Sequence, residues 1–271
     1  MPLVVRKLAG VVSVAALVTG LVDAPATAGP VASAALAKPL AGVIIAIDPG
    51  HQLGNSNPAF FAALKRRYYV GGTVPIKICN TSGTATNSGY PEATYNFRVA
   101  LDLRLSLTRL GATVVMTRYV NSWSLYGPCI QYRGTFGLAQ RAILKVSIHG
   151  DGADPSGHGY FVMEPARIKA PCIVGGKTII HSTAMLRDSR ILGTSILTGM
   201  HRAGLTPSTY IAGATMISSD QGTLNCSSIP TVIVETMNMR NTGDARMAVS
   251  SAGQARIAAG LLAGIRIYLH R

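Results

Sequence analysis

Val43-Ile44-Ile45-Ala46-Ile47-Asp48-Pro49-Gly50-His51 is the stretch on which the fold turns. Its apolar residues are mostly β-branched, run without alternation and stop at an Asp-Pro-Gly turn. A strand covered on both faces reads this way, and such strands belong to parallel sheets. Working outward, Ala112 to Arg118, Lys145 to His149, Gly159 to Met163 and Thr231 to Glu235 also read as strands. Glu92 to Leu110 is ambiguous by spacing. Val99, Leu101, Leu103, Leu105 and Leu107 alternate, while Ala100, Leu103, Leu107 and Leu110 fall at helical intervals. Leu and Arg favour the helix, and Gly111 stands where a C-terminal cap belongs. Leu186 to Ala203 and Arg246 to Leu269 carry apolar residues at helical intervals as well. Strands alternating with helices predict an α/β fold: a single three-layer domain with a central, mostly parallel twisted sheet flanked by helices.

Composition narrows the function. The chain has 271 residues, 48% of them hydrophobic and 13% charged, which excludes a disordered tail protein. Lys and Arg outnumber Asp and Glu 25 to 11, a net charge of +14, yet aromatic content is only 6%. That is thin for a stacking nucleic-acid binder, and no nucleic-acid motif accompanies the charge. Only Glu92, Glu164 and Glu235 can fill a role that needs a glutamate.

The N-terminus has the layout of a secretory signal peptide, residues 1–28. Arg6-Lys7 precede an uncharged run from Leu8 to Val22, and Ala26-Thr27-Ala28 offers a cleavage site before Gly29. The run is short for a membrane span, so an uncleaved anchor is the lesser reading. Cleavage would remove Arg6, Lys7 and Asp23 and leave +13. Residues 29–41 read as a small, Pro-punctuated linker, with the catalytic domain at 42–271. The mature chain, with no apolar segment long enough to span a bilayer, is expected to be a soluble monomer, secreted or held in the periplasm or cell wall. Export makes two disulfides the default for Cys79, Cys129, Cys172 and Cys226, with every connectivity open. Pairing Cys79 with Cys129 and Cys172 with Cys226 is favoured, because each bridge then ties one long loop to the neighbouring region. Residues 52–91 read as irregular, with a basic aromatic patch at Lys65 to Tyr69, and are too long for a simple connection; such loops are lids or binding loops.

His51 immediately follows the first strand, His149 ends another, Glu235 ends a third, and Glu92 opens the first long helix. In open α/β sheets the crevice lies at the carboxyl ends of the strands, where these side chains can meet. Two imidazoles and a carboxylate with an open position make a catalytic zinc set, and a further carboxylate can relay the proton of an activated water. Taken singly, each of these residues is more often structural; their joint placement carries the reading. The other histidines, His158, His181, His201 and His270, lack strand-end placement and read as surface or structural.

At these residues the chain resembles the zinc-dependent N-acetylmuramoyl-L-alanine amidases of the amidase-3 type. The matching pieces are Ile45 to His51, Pro91-Glu92 with Asn96, Ser147 to Gly152, and Val232 to Glu235 with Asn241. Ser88 to Glu92 and Gly127-Pro128-Cys129 are most similar to the single-domain, mycobacterial-type peptidoglycan amidases. The resemblance implies that His51, Glu92 and His149 bind Zn2+, that Glu235 is the catalytic acid/base, and that Cys79 pairs with Cys129. It is silent on Cys172 and Cys226. It also matches Arg133 to a family arginine, for which a salt bridge is expected rather than substrate contact. Gln52-Leu53 depart from the glycine usual after the first histidine. The implied activity is hydrolysis of the amide between the lactyl group of N-acetylmuramic acid and L-alanine, on peptidoglycan or muropeptides. A zinc peptidase acting within the stem peptide, and a non-catalytic cell-wall binding protein of the same fold, are the alternatives.

Overall fold

Residues 38–271 are described by the computed structural model, so the expected signal peptide and most of the expected linker lie outside the described residues. The strands are β1 (Ile44–Pro49), β2 (Arg67–Tyr69), β3 (Ile76–Ile78), β4 (Thr113–Met116), β5 (Leu144–Asp151), β6 (Phe161–Pro165), β7 (Cys172–Val174), β8 (Lys177–Ile179), β9 (Thr215–Ser218) and β10 (Thr231–Asn238). The helices are α1 (Phe61–Leu64), α2 (Glu92–Arg109), α3 (Ile130–Thr135), α4 (Thr183–Arg202), α5 (Gly222–Asn225), α6 (Thr242–Val249) and α7 (Ser251–Tyr268).

Six strands form one sheet in the order β4-β1-β5-β10-β6-β9. The pairs β4-β1, β1-β5 and β5-β10 are parallel, whereas β6 runs antiparallel to β10 and takes β9 along with it. The sheet is therefore mostly parallel, with the reversal at one edge. Side-chain alternation divides the strands between two layers. Ile45, Ile47, Val146, Ile148, Val232 and Val234 join the main core with Val99, Leu103 and Leu107 of α2, Leu192 and Ile196 of α4, and Leu261 and Ile265 of α7. Ala46 faces the other way, against Phe136, Ala142 and Ile229, on the side of α3 and α5. The three-layer expectation holds, and the ambiguous stretch 92–110 is a helix because its Leu residues at helical spacing are the buried ones.

Differences from the sequence reading are local. The expected helix 246–269 is two helices, because Ser250 adopts extended backbone and its side chain caps Gly253 at the start of α7. Edge strand β9 is short and carries no continuous apolar run, so its pattern was too weak to read. Residues 52–91 hold the β2-β3 hairpin and one turn of helix rather than wholly irregular chain. The end of the expected linker is part of the packed domain: Leu40 is fully buried, and its amide donates to the Leu110 carbonyl at 2.9 Å. No helix among the described residues is long and apolar enough to cross a membrane.

Candidate active site

Strand register brings the first pair together. Glu235 of β10 lies directly beside His149 of β5. Their inner neighbours Val234 and Ile148 point into the core, so alternation turns both polar side chains to the opposite face. His51 follows β1, the strand on the other side of β5. Glu92 arrives from a different layer, as the first residue of α2, where a carboxylate also suits the helix dipole.

Glu92 is the hub. One of its oxygens, Oε1, accepts from Asn96 Nδ2 at 3.0 Å and from the Gly150 amide at 3.2 Å, and lies 3.0 Å from His149 Nδ1. The other, Oε2, accepts from the Thr84 amide at 2.9 Å and lies 3.3 Å from His51 Nε2. Donor atoms of His51, Glu92 and His149 all lie within 4.8 Å of one another, a group able to hold a metal ion. Burial alone would push the Glu92 carboxyl up, but the two imidazoles outweigh it and hold the group well below the usual carboxylate range. The Glu92 charge likewise raises His51 against the opposing effect of burial, whereas burial dominates at His149 and lowers it.

Both rings are fixed from behind. His51 Nδ1 meets the Thr81 carbonyl at 2.9 Å. A carbonyl only accepts, so Nδ1 carries the proton and the Nε2 lone pair is free for a ligand, the arrangement that orients metal-binding histidines. His149 lies over Gly50, and a Cβ there would overlap the ring. Gly83 (φ 80°) lets the 81–84 segment pass over the His51-Glu92 pair in the same way. His51 itself has left-handed backbone, φ 56°, a conformation that costs a side-chain-bearing residue roughly 1–2 kcal/mol. Arg133 holds it there, donating to the His51 carbonyl at 2.6 Å and to that of Pro49 at 2.8 Å.

Arg133 is anchored in turn by Asp48, a buried salt bridge as expected for this arginine. Asp48 also accepts from Thr117 Oγ1 at 2.6 Å and Ser147 Oγ at 2.7 Å. Burial opposes its charge, but Arg133 and the two hydroxyls lower the carboxyl to about 2. Asp48 makes no contact with the His51 ring; it acts on the His51 backbone through Arg133. The family departure Gln52 has its own task, accepting from the Ser122 amide and donating to the Val120 carbonyl to tie the chain after His51 to loop 119–125.

Glu235 stands apart from this network. The residue is partly exposed to the cleft, yet its Oε2 is shielded from water and has no hydrogen-bond partner among the described residues. Burial, and then the charges of Glu92 and Asp151, push its carboxyl well above the usual range. A raised carboxylate facing a cleft is a group suited to taking and returning a proton. The cleft itself measures about 260 Å³, and His51, His149, Glu235, Lys77, Ile78 and Gln221 are among the residues that line it.

Cys79 pairs with Cys129 and Cys172 with Cys226. His181 is buried against the carbonyls of Ala166, Leu224 and Asn225, a structural role, and His201 and His270 are exposed. Sequence reasoning missed the Thr81 carbonyl and the Thr84 amide, which are backbone groups with no residue-type signal. It also missed Lys77, whose β-hairpin was read as irregular loop.

A cluster able to hold a metal ion beside a shielded carboxylate, at the strand ends of a three-layer α/β domain, is the arrangement of a metal-dependent hydrolase. Comparison with known proteins makes the class specific. The family model for N-acetylmuramoyl-L-alanine amidase, amidase-3, matches residues 45–266, and the chain belongs to that family of peptidoglycan-degrading hydrolases. It is 32% identical over 258 residues to the N-acetylmuramoyl-L-alanine amidase Rv3717 of Mycobacterium tuberculosis, covering 93% of this chain and 97% of that protein. Among solved structures, the amidase Ami1 of Mycobacterium smegmatis superposes with a TM-score of 0.75 at 30% identity, over 85% of this chain and 98% of the other. The apo form of Ami1 from Mycobacterium abscessus gives 0.72 at 34% identity, over 85% of this chain and 100% of the other.

Proposed function

We propose that this amidase is an exported, monomeric zinc enzyme in which His51, Glu92 and His149 bind the ion and Glu235 is the catalytic acid/base. The observation that carries the reading is the convergence of a nitrogen, nitrogen and oxygen donor set with a second carboxylate whose Oε2 lacks any partner among the described residues. The donor types fit zinc, which favours two imidazoles and a carboxylate with one position left open. The His51 tautomer fits as well, since its free lone pair points at Glu92 rather than away from it.

When bound, zinc supplies a Lewis acid for the scissile carbonyl and lowers the pKa of water. The chain does the rest. Glu235 accepts a proton from the water that attacks the carbonyl of the lactyl group. As the C–N bond breaks, the same carboxyl returns the proton to the leaving amine of L-alanine. The shielding that raises Glu235 lets it hold that proton between the two steps. Asn96 and Thr84 keep the Glu92 carboxylate from rotating, and Thr81 does the same for the His51 ring.

Digesting purified peptidoglycan with and without a chelator, and reading the products by mass spectrometry, tests this. Stem peptides beginning with a free L-alanine amine are expected, with activity lost on chelation and restored by zinc. Cuts within the stem peptide, or activity indifferent to the chelator, would overturn it. Light scattering of the mature chain checks the monomer, and N-terminal sequencing of the exported protein checks cleavage after Ala28.

A further inference from the structure

We propose that Lys77 is the centre of a carboxylate-binding subsite in the same cleft, taking an acidic group on the peptide side of the scissile amide. This rests on the amidase reading above, because it assumes that the peptide runs from the metal end toward β3.

Two basic side chains line the cleft among the described residues, and they differ in kind. Arg133 is buried and fully engaged with Asp48 and backbone carbonyls. Lys77 is not engaged in that way. Among the described residues its Nζ has one charged neighbour, Asp220 Oδ2, at 3.6 Å, and the two side chains are 27% and 45% exposed. A pair this long and this wet is weak and exchanges partners readily. Asp220 does not depend on it for its place, since its Oδ1 accepts from Ser218 Oγ at 2.9 Å and from Gln221 Nε2 at 3.2 Å. Asp220 therefore stays in place whether or not the ammonium leaves it for a better acceptor.

The distance suits a peptide. Thr81, whose carbonyl touches the His51 ring, is four residues after Lys77, so their Cα atoms are at most about 14 Å apart. The intervening chain is held throughout: Ile78 pairs with Arg67, Cys79 is bridged to Cys129, and Asn80 Nδ2 donates to the Pro128 carbonyl at 2.8 Å. A peptide extending from L-alanine reaches its second residue within about 7 Å. Lys77 lines the same cleft of about 260 Å³ as His51, His149 and Glu235, so the second residue and the lysine side chain share that space. The matching ligand is thus a carboxylate on the second stem residue, and a carboxamide there would forgo the charge.

Two soluble muropeptides serve as probes, both with the glutamate γ-carboxyl capped as a methylamide: N-acetylmuramoyl-L-alanyl-D-glutamate with a free α-carboxylate, and the same compound with the α-carboxamide. Binding is measured by calorimetry on the zinc-loaded Glu235→Gln protein, with products monitored by mass spectrometry. The carboxylate should bind about tenfold more tightly than the carboxamide, as a hydrogen bond to a charged group allows. Adding Lys77→Met should reduce that preference to less than about twofold, and Lys77→Arg should keep most of it. Equal affinities in the parent, a preference that survives Lys77→Met, or failure of either probe to bind would overturn the subsite. Hydrolysis by the Glu235→Gln protein would instead overturn the role given to Glu235, and the ratio of KM values for the two probes in the unmutated enzyme and Lys77→Met would then decide the subsite.

Discussion

Where the cleft is floored by strand ends, the charged groups beneath it, Glu235 apart, are buried and saturated; where it is walled by loops, they face water and are loosely held. On the floor, Asp48 accepts from three side chains, and Lys145 directs its ammonium at the carbonyls of Arg133, Gly134 and Phe136 that end α3. Burial lowers that ammonium to about 7. On the wall, the β2-β3 hairpin and the 218–226 segment present Lys77 and Asp220 to solvent, and order comes instead from the backbone. Gly72 and Thr73 amides bond the carbonyls of Ala170 and Ser219, and Asn225 Nδ2 donates to the Gly71 carbonyl. The Cys172–Cys226 bridge packs with Val70 beneath them. The floor fixes side-chain atoms for chemistry through buried hydrogen bonds and ion pairs. The wall fixes the path of the chain mainly through backbone contacts.

The comparison breaks first at the metal set. His51→Ala or His149→Ala should abolish both zinc content, read by atomic absorption, and turnover. Next comes Glu235→Gln, which should lower turnover by about 10²–10⁴-fold, the worth of a positioned acid/base, while zinc stays bound. Loss of zinc from Glu235→Gln would move that residue into the ligand set. Glu164→Gln is the control, because Glu164 lies in β6 beside Gly193 of α4, outside the cleft. The acid limb of the kcat/KM profile should belong to Glu235. Its carboxyl sits above the ordinary value and must be ionised to accept a proton, so activity falls as pH drops through that raised pKa.

This division also decides what the sequence could reveal. The floor announces itself, since buried parallel strands are largely apolar, and the polar residues His149 and Glu235 directly after Ile148 and Val234, with His51 just beyond β1, mark the crevice. The Glu92 helix was readable because α2 must turn Val99, Leu103 and Leu107 inward, which sets its start. Nothing comparable marks the wall. The β2-β3 hairpin exposes Ile76, Lys77 and Ile78 in part or wholly, so no hydrophobic period forms, and its contacts to residues 170–172 and 219–226 span about a hundred residues or more of chain. The pairing of Cys172 with Cys226 belongs to the same long-range packing, and the resemblance to the family could not supply it. Thr81 and Thr84 act through backbone atoms, which any residue type provides.

Asp48→Asn sharpens the comparison on the floor. The amide keeps the shape but leaves the Arg133 guanidinium buried without its counter-charge, and breaking a buried pair from one side costs about 3–5 kcal/mol. Urea unfolding measures the loss, and a cost under about 1 kcal/mol would mean that the carbonyls alone satisfy Arg133. On the wall the corresponding change is Cys172→Ser with Cys226→Ser, removing a bridge that closes 54 residues of sequence separation. The expected cost is about 2–4 kcal/mol. Zinc content should stay at the level of the unmutated protein, since no ligand touches this bridge. Zinc loss on removing it would show that the two regions are not independent.

The smallest effect is a pH dependence confined to the floor. In the folded chain the Asp48 carboxyl sits at about 2, below its ordinary 3.8. The folded state therefore prefers the charged form, and the stability this supplies is complete above pH 4 and drains away as pH falls through 2. A depression of this size corresponds to roughly 2 kcal/mol. The difference in unfolding free energy between the unmutated protein and Asp48→Asn should thus be constant from pH 7 to about 4 and shrink by roughly that amount toward pH 2. Asp220→Asn, on the wall, should shift unfolding by less than about 1 kcal/mol at neutral pH, because a half-exposed pair with Lys77 contributes little. A difference for Asp48→Asn that stays flat down to pH 2 would show that its carboxylate gains nothing from Arg133, Thr117 and Ser147, and the contrast between floor and wall would then lie in packing alone.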